Sequence, residues 1–395
     1  MRRVVVLGGG FAGVEAAIQL REKGYEVELV SERDYLFVYP ISIWIPVGEI
    51  QFEDACQPLD ELATKHGFSL KIAKVIGVDP AQKTVQLDGG EELSYDELVV
   101  AIGAGKTKPK GVENTLSPCG VPRASVSIRE RYEALISAAK ADPEKRFSIL
   151  FGFGGNPKDK SAVRGGPVFE ILFNIHNHLK KIGLRDRFEL TFFAPMPEPG
   201  KKMGEDAPAK LKKWIEGAGM GWKVGKKISA FDSSGVVFAD ESRLDADLVL
   251  FIPANSGHSI VKALGLPVSD AGFILIDDQC RVEGVDGVWA AGDVARIVGP
   301  GWIAKQGHVA ESMAKIIAHN LQIVRDGAPG ELQSYKDHLS ILCVMDTGDG
   351  ATIVFRDEKR SVMMPLPVVG HWMKRAWGTY WKKSKSGKIP RIPGM

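Results

Sequence analysis

The sequence predicts an α/β protein with two Rossmann-like dinucleotide-binding domains followed by a C-terminal extension. Three observations predict it. An apolar, β-branched strand at residues 3–7 runs straight into the turn Gly8-Gly9-Gly10-Phe11-Ala12-Gly13. A second strand, 146–155, again enters glycines, so the pattern restarts in mid-chain. A third apolar stretch, 285–295, ends in a glycine turn and an acid, Gly292-Asp293, ahead of a helix.

Composition allows this architecture. The 395 residues, 44% hydrophobic and 25% charged, suffice for one large or two ordinary domains. A net charge of +2 carries no nucleic-acid signature for the chain as a whole. Cys56, Cys119, Cys280 and Cys343 form no CxxC pair and no close metal-ligand spacing. Neither a disulfide scaffold nor a metal site is expected. Two arginines lead directly into the first strand, which does not suit a secretory leader, and no window has the length of a bilayer span. The expectation is a cytoplasmic protein or one peripheral on the cytoplasmic face of a membrane.

The first element carries the first site. Gly8 permits a sharp turn, Gly10 lets the backbone approach a pyrophosphate, and Gly13 lets helix and strand pack closely. Phe11 and Ala12 open the following helix, whose N-terminus supplies N–H groups and a positive dipole for phosphate. A second strand, 25–30, leads to Glu32, placed to take ribose hydroxyls, with Arg33 beside it. This context does not separate NAD from FAD.

The remaining elements follow in order. Residues 69–90 read as strands, 93–101 as a strand running into Ala101 and Gly103, and 124–141 as a helix. Residues 168–183 read as a helix with Phe169, Leu172, Phe173, His176 and Leu179 near one side. Strand 189–195, a helix from 207, strand 245–253 returning toward the first domain, and helix 307–324 complete the body. The expected division is 1–110 with 245–330 as one domain, 111–244 as an inserted second, and 331–395 as a C-terminal domain and tail. The inserted domain has Pro157 where a third glycine would stand, residues 157–166 interrupt its helix, and no acid ends strand 189–195. It is expected to keep the fold without a nicotinamide site.

Several stretches carry a family resemblance. LSYDELVVAIGA (93–104) and VDGVWAAGDVA (285–295) resemble the two later flavin motifs of FAD-dependent, glutathione-reductase-like enzymes. DYLFVYPISIWIPVGEI, AVRGGPVFEILFNI, GWIAKQGHVAESMA and SILCVMDTGDGATI resemble the sulfide:quinone oxidoreductase and flavocytochrome c sulfide dehydrogenase family. The resemblance implies FAD, with Asp293 at the ribityl chain and Gly307 and Lys305 near the flavin's pyrimidine edge. A turn or helix cap is the plain alternative for Asp293, and an exposed pre-helix lysine for Lys305. It implies sulfide as donor and quinone as acceptor. Two flavin-proximal cysteines carry the sulfur chemistry in that family. Cys343 matches one position, but Arg164 stands at the other, so the internal disulfide cannot form. Cys343 would then act alone, with Arg164 favouring thiolate or hydrosulfide. The plain readings are a small buried hydrophobe for Cys343 and a solvated loop residue for Arg164. Cys119 matches loosely a third family cysteine, sometimes linked to flavin. Glu170 is a candidate proton relay to quinone or a solvent-facing helix residue. A type-II NADH:quinone dehydrogenase, or a flavin subunit docking a separate electron carrier, are the alternative functions.

The last 25 residues hold seven Lys/Arg and no acid, with Trp372, Trp377, Tyr380 and Trp381 among them. Met373, Trp377, Tyr380 and Trp381 recur at helical spacing, interrupted by Gly378. The stripe and the charge predict contact with a membrane surface. In the alternative, the tail packs its aromatics onto the body of a homodimer. No nucleic-acid module surrounds it.

Overall fold

The computed structural model describes residues 2–392. Seven α-helices occur among them: α1 Phe11–Glu22, α2 Leu59–His66, α3 Ala124–Ala141, α4 Gly166–Lys181, α5 Ala207–Gly217, α6 Gly307–Asp326 and α7 Val369–Lys385. Two parallel sheets lie among these helices. The first has the order Val288–Ala290, Glu97–Val100, Arg3–Leu7, Glu26–Ser31, Ser69–Ile72. Val4, Val5, Val6 and Leu7 are fully buried, as a strand covered on both faces requires. Strand order reverses at Arg3–Leu7, between Glu26–Ser31 on one side and Glu97–Val100 on the other. A crevice opens at such a switch point beyond the carboxyl ends of the strands.

The second sheet has the order Gly221–Val224, Phe188–Ala194, Phe147–Phe153, Leu248–Ile252, also parallel. Each unit inserts a three-stranded antiparallel ribbon before its fourth sheet strand in chain order: Val75–Asp79, Thr84–Leu87 and Glu92–Ser94 before Glu97–Val100 in the first, Ile228–Asp232, Gly235–Phe238 and Arg243–Asp245 before Leu248–Ile252 in the second. This shared plan corrects one expectation. Strand Leu248–Ile252 does not return to the first sheet but pairs with Phe147–Phe153. It is the second unit's counterpart of Glu97–Val100, and the return comes only with Val288–Ala290. Leu248–Ile252 therefore lies with the second unit rather than the first, because an apolar run does not say which sheet it joins.

Gly105–Lys106 pairs with Asn255–Ser256 where the chain crosses between the units. Beyond α6, strands Ile341–Asp346, Gly350–Arg356 and Ser361–Pro367 form an antiparallel sheet, and α7 packs against it. Gly378 does not break α7: a Cβ there would lie 2.6 Å from Ile41 Cγ2, so the glycine permits close approach. No described helix is long and apolar enough to cross a membrane.

Candidate cofactor and redox site

A cavity of about 930 Å³ occupies the switch-point crevice, near the upper end of the range for small-ligand sites. Gly8, Gly10, Phe11 and Ala12 line one side, Glu32 and Arg33 the end of the second strand, and Ala101 and Gly103 the end of the third. Gly292, Asp293 and Gly307 complete the wall. Gly13 lies just behind it, where any Cβ would overlap the Gly8 carbonyl oxygen, so only glycine lets α1 approach the strand. At Gly10 a Cβ would meet nothing within 4 Å, which marks the open face of the cradle. The N-termini of α1 and α6 both open here, and neither is capped by a side chain. Uncapped N–H groups at two helix starts suit the oxygens of a dinucleotide.

The second unit differs at the corresponding place. In the first unit a helix follows the glycine turn at once, at Phe11. After Gly152–Gly155, α4 starts only at Gly166, and the segment between folds as a loop with a single turn at Lys160–Ala162. That loop serves the first cavity. Arg164 Nη1 donates to Asp293 Oδ2 at 2.8 Å, and Asn156 Nδ2 donates to the Asn255 carbonyl at 2.9 Å. Arg164 is thus an ion-paired cavity residue.

Three further residues of this wall escaped the sequence reading. Lys106 lines the cavity and donates to Asn255 Oδ1 at 2.7 Å. Burial lowers its ammonium pKa to about 8, offset in part by Cys119 and Asp293. Asn255 in turn reaches Asp293 Oδ2 at 3.4 Å. His258 lines the cavity where the Glu32 charge reaches it, its pKa lowered chiefly by burial. None sits in a glycine motif; the antiparallel crossing of 105–106 with 255–256 brings Lys106 and Asn255 together.

The candidate catalytic residues divide. Cys119 is on the cavity wall and 8% exposed. Burial raises its thiol pKa, while Arg164 and Lys106 pull it down. Glu170, buried, and Cys343, half-buried, lie outside the cavity lining. Glu170 Oε1 accepts from Lys374 Nζ and from the Asp346 N–H at 2.8 Å. Asp346 Oδ2 meets His371 Nδ1 at 2.7 Å, and Asn174 Nδ2 donates to Asp346 Oδ1 at 3.0 Å. Burial raises the Glu170 pKa against the pull of Lys374. Burial and then the Glu170 charge push the Cys343 thiol up to about 12. Glu170 is 3% exposed, which removes the solvent-facing alternative. Its charge reaches both Cys119 and Cys343. Lys305 is neither an exposed pre-helix lysine nor a lining residue: it is buried, 4.0 Å from the Phe273 ring centroid, with its ammonium on the Ala295 carbonyl. Burial lowers its pKa to about 8. All four cysteines are free thiols.

A family model described as pyridine nucleotide-disulphide oxidoreductase matches residues 2–314. The chain belongs to the pyridine nucleotide-disulphide oxidoreductase family. It is a flavin-dependent oxidoreductase. It is 27% identical over 415 aligned residues to a sulfide-quinone reductase of Aquifex aeolicus, covering 98% of this chain and 92% of that one. To a type II NADH:quinone oxidoreductase of Staphylococcus saprophyticus it is 22% identical over 379 residues, 90% of each chain. The solved Aquifex sulfide:quinone oxidoreductase superposes with a TM-score of 0.83 at 23% identity, over 98% of this chain and 92% of that one. NDH2 of Plasmodium falciparum superposes with a TM-score of 0.76 at 11% identity, over 100% and 99%. These solved structures share the fold of this oxidoreductase.

The oxidoreductase's tail differs from the expected outward stripe. Trp381 is buried against the body, Met373, Trp377 and Tyr380 are half-buried, and Lys374 and Lys385 are buried in ion pairs. Trp372, beside the stripe, is the exposed aromatic at 62%. Helical spacing reveals an apolar side but not what that side faces. Residues 393–395 of the tail lie outside the described residues.

Proposed function

We propose that this oxidoreductase binds FAD in the switch-point cavity and passes two electrons from a sulfide-like donor to a quinone. The observation that carries the reading is the loop before α4. It builds no nucleotide turn of its own and delivers Arg164 to Asp293, which argues for a donor other than NADH. Gly8, Gly10, Phe11, Ala12 and Gly13 would receive the pyrophosphate, Glu32 and Arg33 the adenosine end, and Asp293 the ribityl chain. Ala101, Gly103, Gly292 and Gly307 would border the rest. When bound, FAD supplies the two-electron store between donor and acceptor.

The chain's own groups divide the remaining work. Lys106 and Arg164 stand in the cavity wall near Cys119, where their charge favours hydrosulfide over neutral hydrogen sulfide and offsets part of the burial that raises the Cys119 thiol. Cys119 is therefore the thiol the donor meets at the wall. Cys343, the thiol singled out by resemblance, lies off the cavity lining, and the Glu170 charge reaches both thiols. Glu170, held protonated more readily than a free carboxyl, moves protons at its Oε atoms for the quinone, which takes up two on becoming quinol. Lys305 adds positive charge beneath Asp293. Sulfide is oxidised by two electrons as the quinone is reduced by two.

The acceptor side meets a membrane. One face of the C-terminal sheet and the start of α7 expose Leu342, Val362, Met364, Val368, Val369 and Trp372, an apolar surface of the kind that monomeric soluble proteins rarely leave open. Lys359 and Arg360 sit at its edge, suited to anionic headgroups.

The test is anaerobic stopped-flow mixing of the flavin-loaded protein with sulfide and, separately, with NADH, using wild type, Cys119→Ala and Cys343→Ala. Fast bleaching by sulfide that slows at least tenfold in a cysteine variant is expected. Bleaching by NADH and not by sulfide would move the protein to the NADH:quinone branch.

A further inference from the structure

The C-terminal segment reaches back to the two helices that open on the cavity. Glu15, on α1, is fully buried. Its carboxylate binds Arg391 Nη2 at 2.6 and 2.7 Å and also Lys385 Nζ. Lys385 Nζ lies 2.7 Å from Glu311 Oε1 on α6, and Trp381 Nε1 donates to that same oxygen at 3.2 Å. The Trp381 ring stands 4.8 Å from that of Phe11, the first residue of α1 and part of the cavity wall. A Cβ on Gly307, the first residue of α6, would lie 3.4 Å from Phe11. Trp381, Phe11 and Gly307 thus form one stack at the mouth of both helices.

The charge balance explains why the contact is specific. Two carboxylates from adjacent helices, one fully buried, repel each other and lose hydration. The cations that compensate them, Lys385 and Arg391, both come from the C-terminal segment. Without them the two carboxylates would face each other across α1 and α6 with no cation between them, at a cost in charge repulsion or in proton uptake. The N-termini of these two helices are the ones that face the cavity.

We propose that the C-terminal segment is a strap that holds the N-termini of α1 and α6 in register for the dinucleotide, with Trp381, Lys385 and Arg391 as positioning residues. The proposal rests on the cofactor reading above. It gives the basic aromatic tail a role inside the molecule, separate from any contact its outer end makes.

The experiment follows flavin release from full-length FAD-loaded protein after dilution, by recovery of flavin fluorescence. The variants are Arg391→Gln, Arg391→Lys, Lys385→Met and Trp381→Phe, with Ile215→Ala, buried on α5, as a control for general destabilisation. Release about tenfold faster in Arg391→Gln is expected, with Arg391→Lys close to wild type and Ile215→Ala lowering the melting temperature without speeding release. Trp381→Phe is expected to lose part of the tryptophan fluorescence that flavin quenches in wild type. If Lys385→Met does not fold, the partly exposed Arg391 decides the matter. Release from Arg391→Gln at the wild-type rate, with flavin held normally by wild type, overturns the strap alone. A wild type that takes up no FAD overturns the cofactor reading and the strap together.

Discussion

Cys343 and Cys119 show how far a residue's chemistry depends on its neighbours. Both are small, partly or wholly enclosed thiols, and the sequence favours Cys343. In the fold Cys343 faces Glu170, and burial with that carboxylate pushes it up to about 12. Both influences keep its sulfur in the thiol form near neutral pH. Burial raises the Cys119 thiol too, but there two cations, Arg164 and Lys106, oppose the rise. Glu170→Gln removes the charge that opposes the Cys343 thiolate and leaves Lys374 to favour it, so the thiol pKa falls. Alkylation of Cys343 by iodoacetamide at pH 8, followed by peptide mass spectrometry, is expected to speed by roughly tenfold in this variant. An unchanged rate would show that Glu170 does not govern this thiol. Arg164 makes the same point. As a loop residue it reads as a solvated cation, yet it is ion-paired to Asp293, 129 positions along the chain. The glycines of the first turn were legible one by one, because each answers a backbone requirement that no side chain can meet.

Elements were legible where periodicity is strong. The first strand, α1 and α6 stand close to where apolar pattern and glycine punctuation put them, and α3 spans the residues expected. The apolar run at Leu248–Ile252 predicts a strand but not its sheet, which is the second. For α7 the aromatic spacing predicts a short helix weakened by Gly378. It runs for 17 residues, and the glycine is the point of contact with Ile41. The variant Gly378→Ala separates the two influences. Helix propensity favours alanine by about 1 kcal/mol. Overpacking against Ile41, which is 6% exposed, costs about 1–3 kcal/mol. A net loss of about 1 kcal/mol is expected, visible as a lower denaturant midpoint with an unchanged slope. A stabilised variant would show that α7 can move away from Ile41.

At the scale of the whole molecule, the two units follow one plan and are put to different uses. The first keeps a helix directly after its glycine turn and opens a cavity there. The second replaces that junction with a loop that reaches into the first unit's site. The C-terminal sheet and α7 then join the units, with Lys374 bound to Glu170 of α4 and Lys385 bound to Glu15 of α1. Their outer surface is the exposed apolar face read above as membrane-facing. Co-sedimentation with vesicles containing anionic lipid checks that reading. Trp372→Ser combined with Met364→Ser is expected to lower the bound fraction at least severalfold, and added salt to weaken binding further. Binding unchanged by both would show that another surface holds the protein to lipid.

The α/β class, the glycine turn suited to a dinucleotide, the second and third motif segments and the defect in the middle glycine pattern can all be read along the chain. Each is a local statement, written in backbone needs or in short periodicities that survive without knowledge of the partners. Which sheet takes Leu248–Ile252, which face of α7 turns inward and which cations stand near which thiol emerge with the packed fold. Lys106 meets Asn255 across 149 positions of sequence, and Arg391 meets Glu15 across 376. Burial and charge at such meetings arise from the packed arrangement, so no window of the chain contains them.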